Sequence, residues 1–201
     1  FAFERLAADL ENGSHGFAFA SGLAAASAIM ELLQPGDHVI AADDLYGGTF
    51  RLFDQVKKIN SGIEFSYVDL TDIDNLNQAL QSNTKMVWLE TPTNPTLKLI
   101  DLQAIASILQ DKPEIIAVAD NTFATPMLQQ PLNYGFDIVM HSVTKYLNGH
   151  SDMIGGIVVT NEDKLQEQLS FIQNSVGAVL SPFDSFLALR GAKTLAVRME
   201  K

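Results

Sequence analysis

The chain has 201 residues, of which 47% are hydrophobic and 18% are charged, and its formal net charge is -11. This composition is typical of a globular chain with one good core. The negative charge argues against binding to nucleic acid or to an anionic membrane surface, since phosphate groups would be repelled. The sequence contains no cysteine, which excludes disulfides, thiolate nucleophiles and cysteine metal sites.

Short β-rich runs alternate with longer helical patterns along the chain. The hydrophobic pattern predicts strands at residues 16–20, 38–42, 63–68, 86–89, 115–119, 137–140 and 157–159. It predicts helices at 3–10, 23–33, 49–59, 73–80 and 101–110, and a mostly helical stretch from 162 onward with a break at 181–182. Repeated β-α-β units with nearly continuous apolar strands predict an α/β fold with a mostly parallel sheet and helices on both faces.

The chain is expected to hold one α/β domain over residues 1–160. Residues 161–201 are predicted to be a helical continuation toward a C-terminal domain that lies outside this chain. The absence of an initial methionine and an end inside a predicted helix indicate a piece of a longer chain. Without a long apolar run or a basic leader, we expect neither a membrane span nor a signal peptide, and the lack of cysteine fits a cytoplasmic location.

The residues that directly follow the strands are the candidates for a functional site, because ligands bind at the carboxyl ends of the strands in open α/β sheets. Ser21, Gly22 and Leu23 open a helix after the first strand, where free backbone N–H groups and a glycine make an anion site. The same residues also fit an ordinary helix cap, which is the more common arrangement.

Two charged residues stand out among the strand ends. Asp120 follows the buried strand at 115–119, where its carboxylate fits either a partner for a pyridinium N–H or a cap for the next turn. Lys145 follows Ser142 and Thr144, whose hydroxyls are suited to a phosphate, so that it fits a Schiff-base lysine or an ordinary surface lysine. Tyr46, in a glycine-flanked loop, fits a side chain that stacks on a cofactor ring or one that covers the core.

Taken together, these segments resemble the Cys/Met-metabolism family of pyridoxal 5′-phosphate (PLP) enzymes. The resemblance implies an aspartate-aminotransferase-like fold, as in the large domain of type I PLP enzymes. It runs in order through nearly the whole chain and rests on residues 19–22, 44–49, 90–95, 120–123, 142–152, 173–178 and 189–195.

The resemblance implies a role for each matching residue. Lys145 would carry PLP as a Schiff base and move protons, Asp120 would pair with the pyridine nitrogen, and Tyr46 would stack on the ring and act as an acid and base. The implied phosphate and ring contacts are Ser21, Gly22, Leu23, Thr122, Ser142 and Thr144. Asn94 would hold the O3′ side of the cofactor or the substrate carboxylate, Arg51 would lie near the distal end of the substrate, and Glu90 would lie behind the residues that touch PLP.

Within the family, the runs are most similar to cystathionine γ-lyase and cystathionine γ-synthase. The predicted activity is γ-elimination from cystathionine, which gives cysteine, 2-oxobutanoate and ammonia. The alternatives are γ-replacement on an activated homoserine ester and, after it, cystathionine β-lyase activity. The resemblance also implies a homotetramer in which a neighbouring subunit supplies a tyrosine and an arginine to the phosphate site. The N-terminal arm and the C-terminal domain of the family, which complete the site, are not part of this sequence.

Three other functions fit the sequence less well. A nicotinamide-binding domain needs a G-x-G-x-x-G turn after its first strand, and the sequence has none. A metal hydrolase needs paired ligands, and the four histidines show no such spacing, so no metal is expected. A non-enzymatic scaffold is the third, and colour distinguishes it, because PLP bound to a lysine as a protonated Schiff base is yellow and a plain scaffold is not.

Overall fold

The seven predicted strands form one sheet in the computed structural model, which describes residues 1–200. The strands are β1 (His15–Phe19), β2 (His38–Ala42), β3 (Glu64–Val68), β4 (Thr84–Glu90), β5 (Ile116–Asp120), β6 (Ile138–Ser142) and β7 (Gly156–Thr160), in the order β1-β7-β6-β5-β4-β2-β3. The strands β3, β2, β4, β5 and β6 run parallel, and β7 is antiparallel to both of its neighbours, β6 and β1. The predicted α/β class with a mostly parallel sheet is therefore confirmed.

Ten α-helices flank the sheet within residues 1–200. They are α1 (Ala2–Leu10), α2 (Gly22–Met30), α3 (Gly47–Leu52), α4 (Lys58–Asn60), α5 (Ile73–Ala79), α6 (Leu102–Leu109), α7 (Thr125–Leu128), α8 (Asp163–Val176), α9 (Pro182–Ala192) and α10 (Leu195–Met199). Side-chain caps start several of them: the Ser21 hydroxyl accepts the Ala24 N–H, and the Asp101 carboxylate accepts the Ala104 N–H, each at 3.0 Å.

The single helix predicted at 49–59 is divided. A π-helical turn, Phe53–Lys57, separates α3 from α4. Phe53 is fully buried there, stacked on Phe65 and edge-on to Trp88, and Lys57 is buried against Glu31. Helix α7 and the 3-10 turn Pro131–Tyr134 were not predicted, because they are short and their prolines interrupt the helical pattern.

The core lies on both faces of the sheet. Alternate residues of β6 belong to different clusters: Ile138 and Met140 pack in the larger cluster, which includes α2, and Val139 packs in a second cluster with α1 and α9. Helix α8 also contacts β1 and α2, and Val179 forms a β-bridge with Phe19. The helical stretch after residue 160 thus packs on the domain, and the boundary at 160 stays a prediction. None of the helices within residues 1–200 has the length and apolar character needed to cross a membrane.

Candidate active site

A cavity of about 200 Å³ opens at the carboxyl ends of β4, β5 and β6. It brings together ten residues that the sequence singled out, together with Glu90: Ser21, Gly22, Leu23, Tyr46, Asn94, Asp120, Thr122, Ser142, Thr144 and Lys145. Arg51 is the exception, because its side chain is exposed on α3 and does not line the cavity. Thr49, Phe123, Met140 and Ile154 also line the cavity. The first two stand inside the runs that carry the resemblance, but no pattern in the sequence singles out Met140 or Ile154.

The floor of the cavity holds a buried carboxylate. Asp120 ends β5 and is 6% exposed. The Thr122 hydroxyl donates to Asp120 Oδ1 at 2.5 Å and accepts the Ser142 N–H at 2.8 Å, so that one hydroxyl joins the ends of β5 and β6. Burial raises the pKa of Asp120 above its ordinary value, while the hydrogen bonds from Thr122 and the charge of His141 oppose the rise.

A second carboxylate stands beside the first. Glu90 ends β4, is paired in register with Asp120, and is 2% exposed. Its Oε2 accepts the backbone N–H of Tyr46 at 2.9 Å, which fixes the start of α3. Burial raises the pKa of Glu90 to about 8, and the nearby negative charge of Asp120 adds to the rise. The two strand ends therefore bury two acids side by side, and a cationic ring or amine bound next to them would favour their ionised forms.

The start of α2 closes one side of the cavity as an anion site. The first N–H groups of this nine-residue helix have no backbone partners within the helix, and the first helical residue, Gly22, packs against Ser142 at the end of β6. A Cβ added to Gly22 would lie 2.9 Å from Ser142 Cβ, so the glycine is what allows the helix to approach Ser142 so closely. The hydroxyls of Ser142 and Thr144 line the same cavity. Backbone N–H groups and hydroxyls placed in this way are suited to a phosphate group.

Lys145 stands in the turn that follows β6. Its N–H donates to the Ser142 carbonyl at 3.1 Å, and its own carbonyl accepts the Gly149 N–H at 2.7 Å. The side chain is exposed on the surface of the described chain and lines the cavity. The turn therefore fixes the backbone of Lys145 and leaves its amine free to reach a group bound in the cavity.

The loops after β2 and β4 are tied together beside the cavity. The Thr93 hydroxyl donates to Asp44 Oδ2 at 2.5 Å, and the Thr96 N–H donates to the same oxygen at 3.1 Å. The two loops carry Tyr46 and Asn94, which both line the cavity. The Tyr46 side chain is 43% exposed, so its ring is free to cover a flat ligand from the open side.

Comparisons with known proteins agree with this geometry. The sequence profile of the Cys/Met metabolism PLP-dependent enzymes matches residues 1–201. The cystathionine beta-lyase of Coxiella burnetii is 60% identical over 202 residues, which cover 100% of this chain and 52% of that protein. The cystathionine gamma-lyase of Dictyostelium discoideum is 53% identical, with coverage of 99% and 51%. The crystal structure of cystathionine gamma-lyase from Lactobacillus plantarum complexed with L-serine superposes with a TM-score of 0.95 at 49% identity, over 98% of this chain and 51% of that one.

The chain spans about half the length of these relatives. The residues of the cavity fit the cofactor of the family, a phosphorylated pyridine aldehyde. The close approach of Gly22 to Ser142 forms a cradle for the phosphate, the buried Asp120 suits the ring nitrogen, and Lys145 offers an amine to the aldehyde. This chain belongs to the Cys/Met metabolism family of PLP-dependent enzymes.

Proposed function

We propose that this chain forms the cofactor-binding part of a PLP-dependent carbon–sulfur lyase that acts on cystathionine. One observation carries the proposal: a single cavity is lined by an amine, a buried carboxylate and a helix N-terminus, from Lys145, Asp120 and α2. Bound PLP supplies an electron-accepting ring that takes up charge from the α-carbon of an amino-acid substrate.

Each residue of the cavity has a part in holding the cofactor. Asp120 keeps a proton on the ring nitrogen through its buried carboxylate, and Thr122 orients that carboxylate. Phosphate binding falls to the N–H groups of Gly22 and Leu23, and to the hydroxyls of Ser142 and Thr144 next to them. Ser21 caps the helix that presents these N–H groups.

The remaining residues act on the substrate. Lys145 would hold the cofactor covalently through its Nζ, and the free amine would move protons at the substrate carbons. Tyr46 covers the ring, and its hydroxyl takes the proton of the substrate amine. Asn94 orients the substrate carboxylate or the O3′ side of the cofactor. Arg51 lies outside the cavity in the described structure, and its contact with the distal end of the substrate stays a prediction.

The preferred reaction is γ-elimination, which releases cysteine, 2-oxobutanoate and ammonia from cystathionine and water. The relatives from Dictyostelium discoideum and Lactobacillus plantarum, both named cystathionine gamma-lyase, support it. A second candidate is β-elimination, which releases homocysteine, pyruvate and ammonia, and the Coxiella burnetii relative named cystathionine beta-lyase favours it. The two reactions differ in whether a base must also remove a proton from the β-carbon. Only γ-elimination requires this, and Lys145 is suited to act as that base.

Product analysis of the full-length protein with cystathionine distinguishes the two. Formation of 2-oxobutanoate and cysteine supports γ-elimination, and formation of pyruvate and homocysteine shows β-elimination. Incubation with an activated homoserine ester and cysteine tests for γ-replacement, the reaction of a γ-synthase, which would appear as newly formed cystathionine.

Borohydride reduction followed by peptide mapping tests the cofactor site separately. We expect the reduced cofactor on Lys145, and we expect Lys145→Ala to abolish both covalent retention and turnover. Lys164→Ala, at an exposed position on α8, is the control and is expected to behave as wild type. Label on any other lysine would contradict the assignment.

Assembly completes the proposal. The family resemblance implies a homotetramer with sites shared between subunits, and light scattering of the full-length protein tests it, since an active monomer would contradict it. The cytoplasmic location stays a prediction as well.

A further inference from the structure

A buried acid–histidine pair lies next to the cavity and has no part in the proposed reaction. Glu11 follows α1, His141 stands in β6, and each is 1% exposed. The pair joins residues 130 positions apart, with His141 Nε2 at 2.5 Å from Glu11 Oε1. The same Glu11 oxygen accepts a hydrogen bond from Asn121 Nδ2 at 2.7 Å.

The contacts continue across three strand ends. Asn121 Oδ1 accepts from Gln129 Nε2 at 2.9 Å, and Gln129 Nε2 also donates to the Thr91 carbonyl at 2.8 Å. We refer to the five residues joined in this way as the buried network: Glu11, Thr91, Asn121, Gln129 and His141. The buried network therefore links the ends of β4, β5 and β6 by hydrogen bonds.

Three members of the buried network each stand next to a residue of the cavity in the chain. Thr91 follows Glu90, Asn121 follows Asp120, and His141 precedes Ser142. A shift of the network would therefore move the carboxylates and the phosphate-binding hydroxyl directly, because only one backbone unit separates each pair.

The pair also acts on the cavity through charge. His141 opposes the effect of burial on the pKa of Asp120 and so favours the carboxylate form. Buried ion pairs often add little to folding stability compared with apolar residues of the same volume, because desolvation offsets their attraction. A stability role alone is thus a weak explanation for an acid and a histidine in this place.

We propose that Glu11 and His141 are positioning residues for cofactor binding: the Glu11 carboxylate holds His141 and Asn121, and thereby fixes the strand ends that present Asp120 and Ser142 to PLP. The proposal rests on the cofactor site described under the proposed function, but not on which bond of the substrate is broken. Neither residue lines the cavity, so both act through their neighbours.

Two substitutions of Glu11 separate its charge from its hydrogen bonds. Glu11→Gln keeps an oxygen that accepts from Asn121 and removes the charge, whereas Glu11→Leu removes both. The control is Lys57→Met, which breaks the short ion pair between Lys57 Nζ and Glu31 at 2.5 Å. Glu31 follows the last residue of α2, at the opposite end of that helix from the anion site.

The measurements are made on the full-length protein: the dissociation constant for PLP by absorbance titration, the pH at which the visible band of bound PLP changes, and the thermal unfolding midpoint. We expect Glu11→Gln to weaken PLP binding by about tenfold, as for residues that couple to a site through packed contacts, and Glu11→Leu to weaken it further. We expect the pH at which the visible band changes to shift in both Glu11 variants. Lys57→Met is expected to lower only the unfolding midpoint.

Wild-type PLP affinity and spectra in the Glu11 variants would overturn the proposal, as would an equal loss of affinity in Lys57→Met. If Glu11→Leu does not fold, Glu11→Gln decides the question by the same criteria. Borohydride labelling of the wild type is recorded in parallel. Label away from Lys145 refutes the cofactor site itself and is thereby distinguished from a failure of the positioning role.

Discussion

The two ends of the central sheet bury polar side chains in opposite ways. At the amino end, His38 is 1% exposed, and its ring nitrogens pair with the hydroxyls of Thr84 at 2.8 Å and Ser66 at 2.9 Å. Burial lowers the pKa of His38, although the charge of Glu64 opposes this, so that the group is held neutral among neutral partners. At the carboxyl end, Glu90 and Asp120 are buried side by side and face a cavity.

The difference separates a structural end from a functional one. Neutral hydrogen bonds at the amino end satisfy buried groups at little cost. Adjacent carboxylates at the carboxyl end destabilise the folded chain unless a proton or a cationic ligand is present. Substitutions at the carboxyl end should therefore alter chemistry and pH dependence, and those at the amino end should alter stability alone.

The strongest test of this contrast is Asp120→Asn. The substitution keeps the size of the side chain and an acceptor for Thr122 but removes the charge beside the ring nitrogen. We expect turnover of the full-length enzyme to fall by about 100-fold or more, with PLP binding partly retained, as for loss of one preorganised electrostatic group. Steady-state kinetics measures the effect, with Asp111→Asn at an exposed site as the control. Near-normal turnover would make Asp120 only a cap for the following turn.

Glu90→Gln tests the pH dependence of stability. Because burial, aided by Asp120, raises the pKa of Glu90 from 4.5 to about 8, the folded chain retains a proton that the unfolded chain releases between these values. The resulting stability is fully present below pH 4.5 and is lost as the pH rises through 8. Glutamine does not titrate, so the variant does not lose this stability. We expect its free energy of unfolding, relative to that of wild type, to rise by about 2 kcal/mol or more from acidic to alkaline pH.

Urea unfolding of the cofactor-free protein at acidic and at alkaline pH measures this gain. Glu167→Gln, at an exposed position on α8, controls for the change in net charge. If wild type and Glu90→Gln lose stability in parallel as the pH rises, the pKa of Glu90 is not raised in the folded chain. The contrast between the two ends of the sheet is then smaller.

A pair of adjacent glycines sharpens the contrast inside the site. A Cβ on Gly48 would lie 2.4 Å from Tyr46 Cε1, whereas a Cβ on Gly47 would meet nothing within 4 Å. Both are in the first turn of α3. We expect Gly48→Ala to displace the Tyr46 ring and lower kcat/KM by about tenfold, as misplacement of a catalytic group does, and Gly47→Ala to stay near wild type. Equal kinetics in the two variants would show that the position of the ring does not matter.

The smallest effect on catalysis is expected at the amino end. His38→Leu leaves the Ser66 hydroxyl without its buried partner, and we expect a loss of about 1–2 kcal/mol in the free energy of unfolding. Turnover per bound PLP should be unchanged. A tenfold fall in that turnover would remove the distinction between the two ends.

Much of the fold was predictable from local patterns. All seven strands lie where short apolar runs predicted them, within about two residues of the predicted bounds. The order of the strands and the antiparallel direction of β7 were not predictable in the same way, because β1 pairs with β7, which lies far away in the chain. The π-helical turn at Phe53–Lys57 escaped prediction because its apolar spacing differs little from that of an α-helix.

The site followed from two sources, the rule that ligands bind at strand ends and the family resemblance. Together they led to Asp120, Ser142 and Lys145. Glu11 was missed because an acid at the end of an amphipathic helix is normally solvated, and its partner His141 is 130 residues away. His141 was considered only as a metal ligand, since nothing local in the sequence shows that its ring is buried against a carboxylate.

The Thr122 hydroxyl makes the linkage between β5 and β6 directional. Because the Ser142 N–H already donates to this oxygen, the single hydroxyl hydrogen is left to point toward Asp120 Oδ1. Oδ1 of the carboxylate therefore already accepts a hydrogen bond, and Oδ2 remains the more basic oxygen for an incoming N–H. The backbone of one strand thus helps to select which of two chemically equivalent atoms on its neighbour meets the ligand. Serine at position 122 would preserve this choice, whereas valine would leave only the backbone N–H of residue 122 on Oδ1.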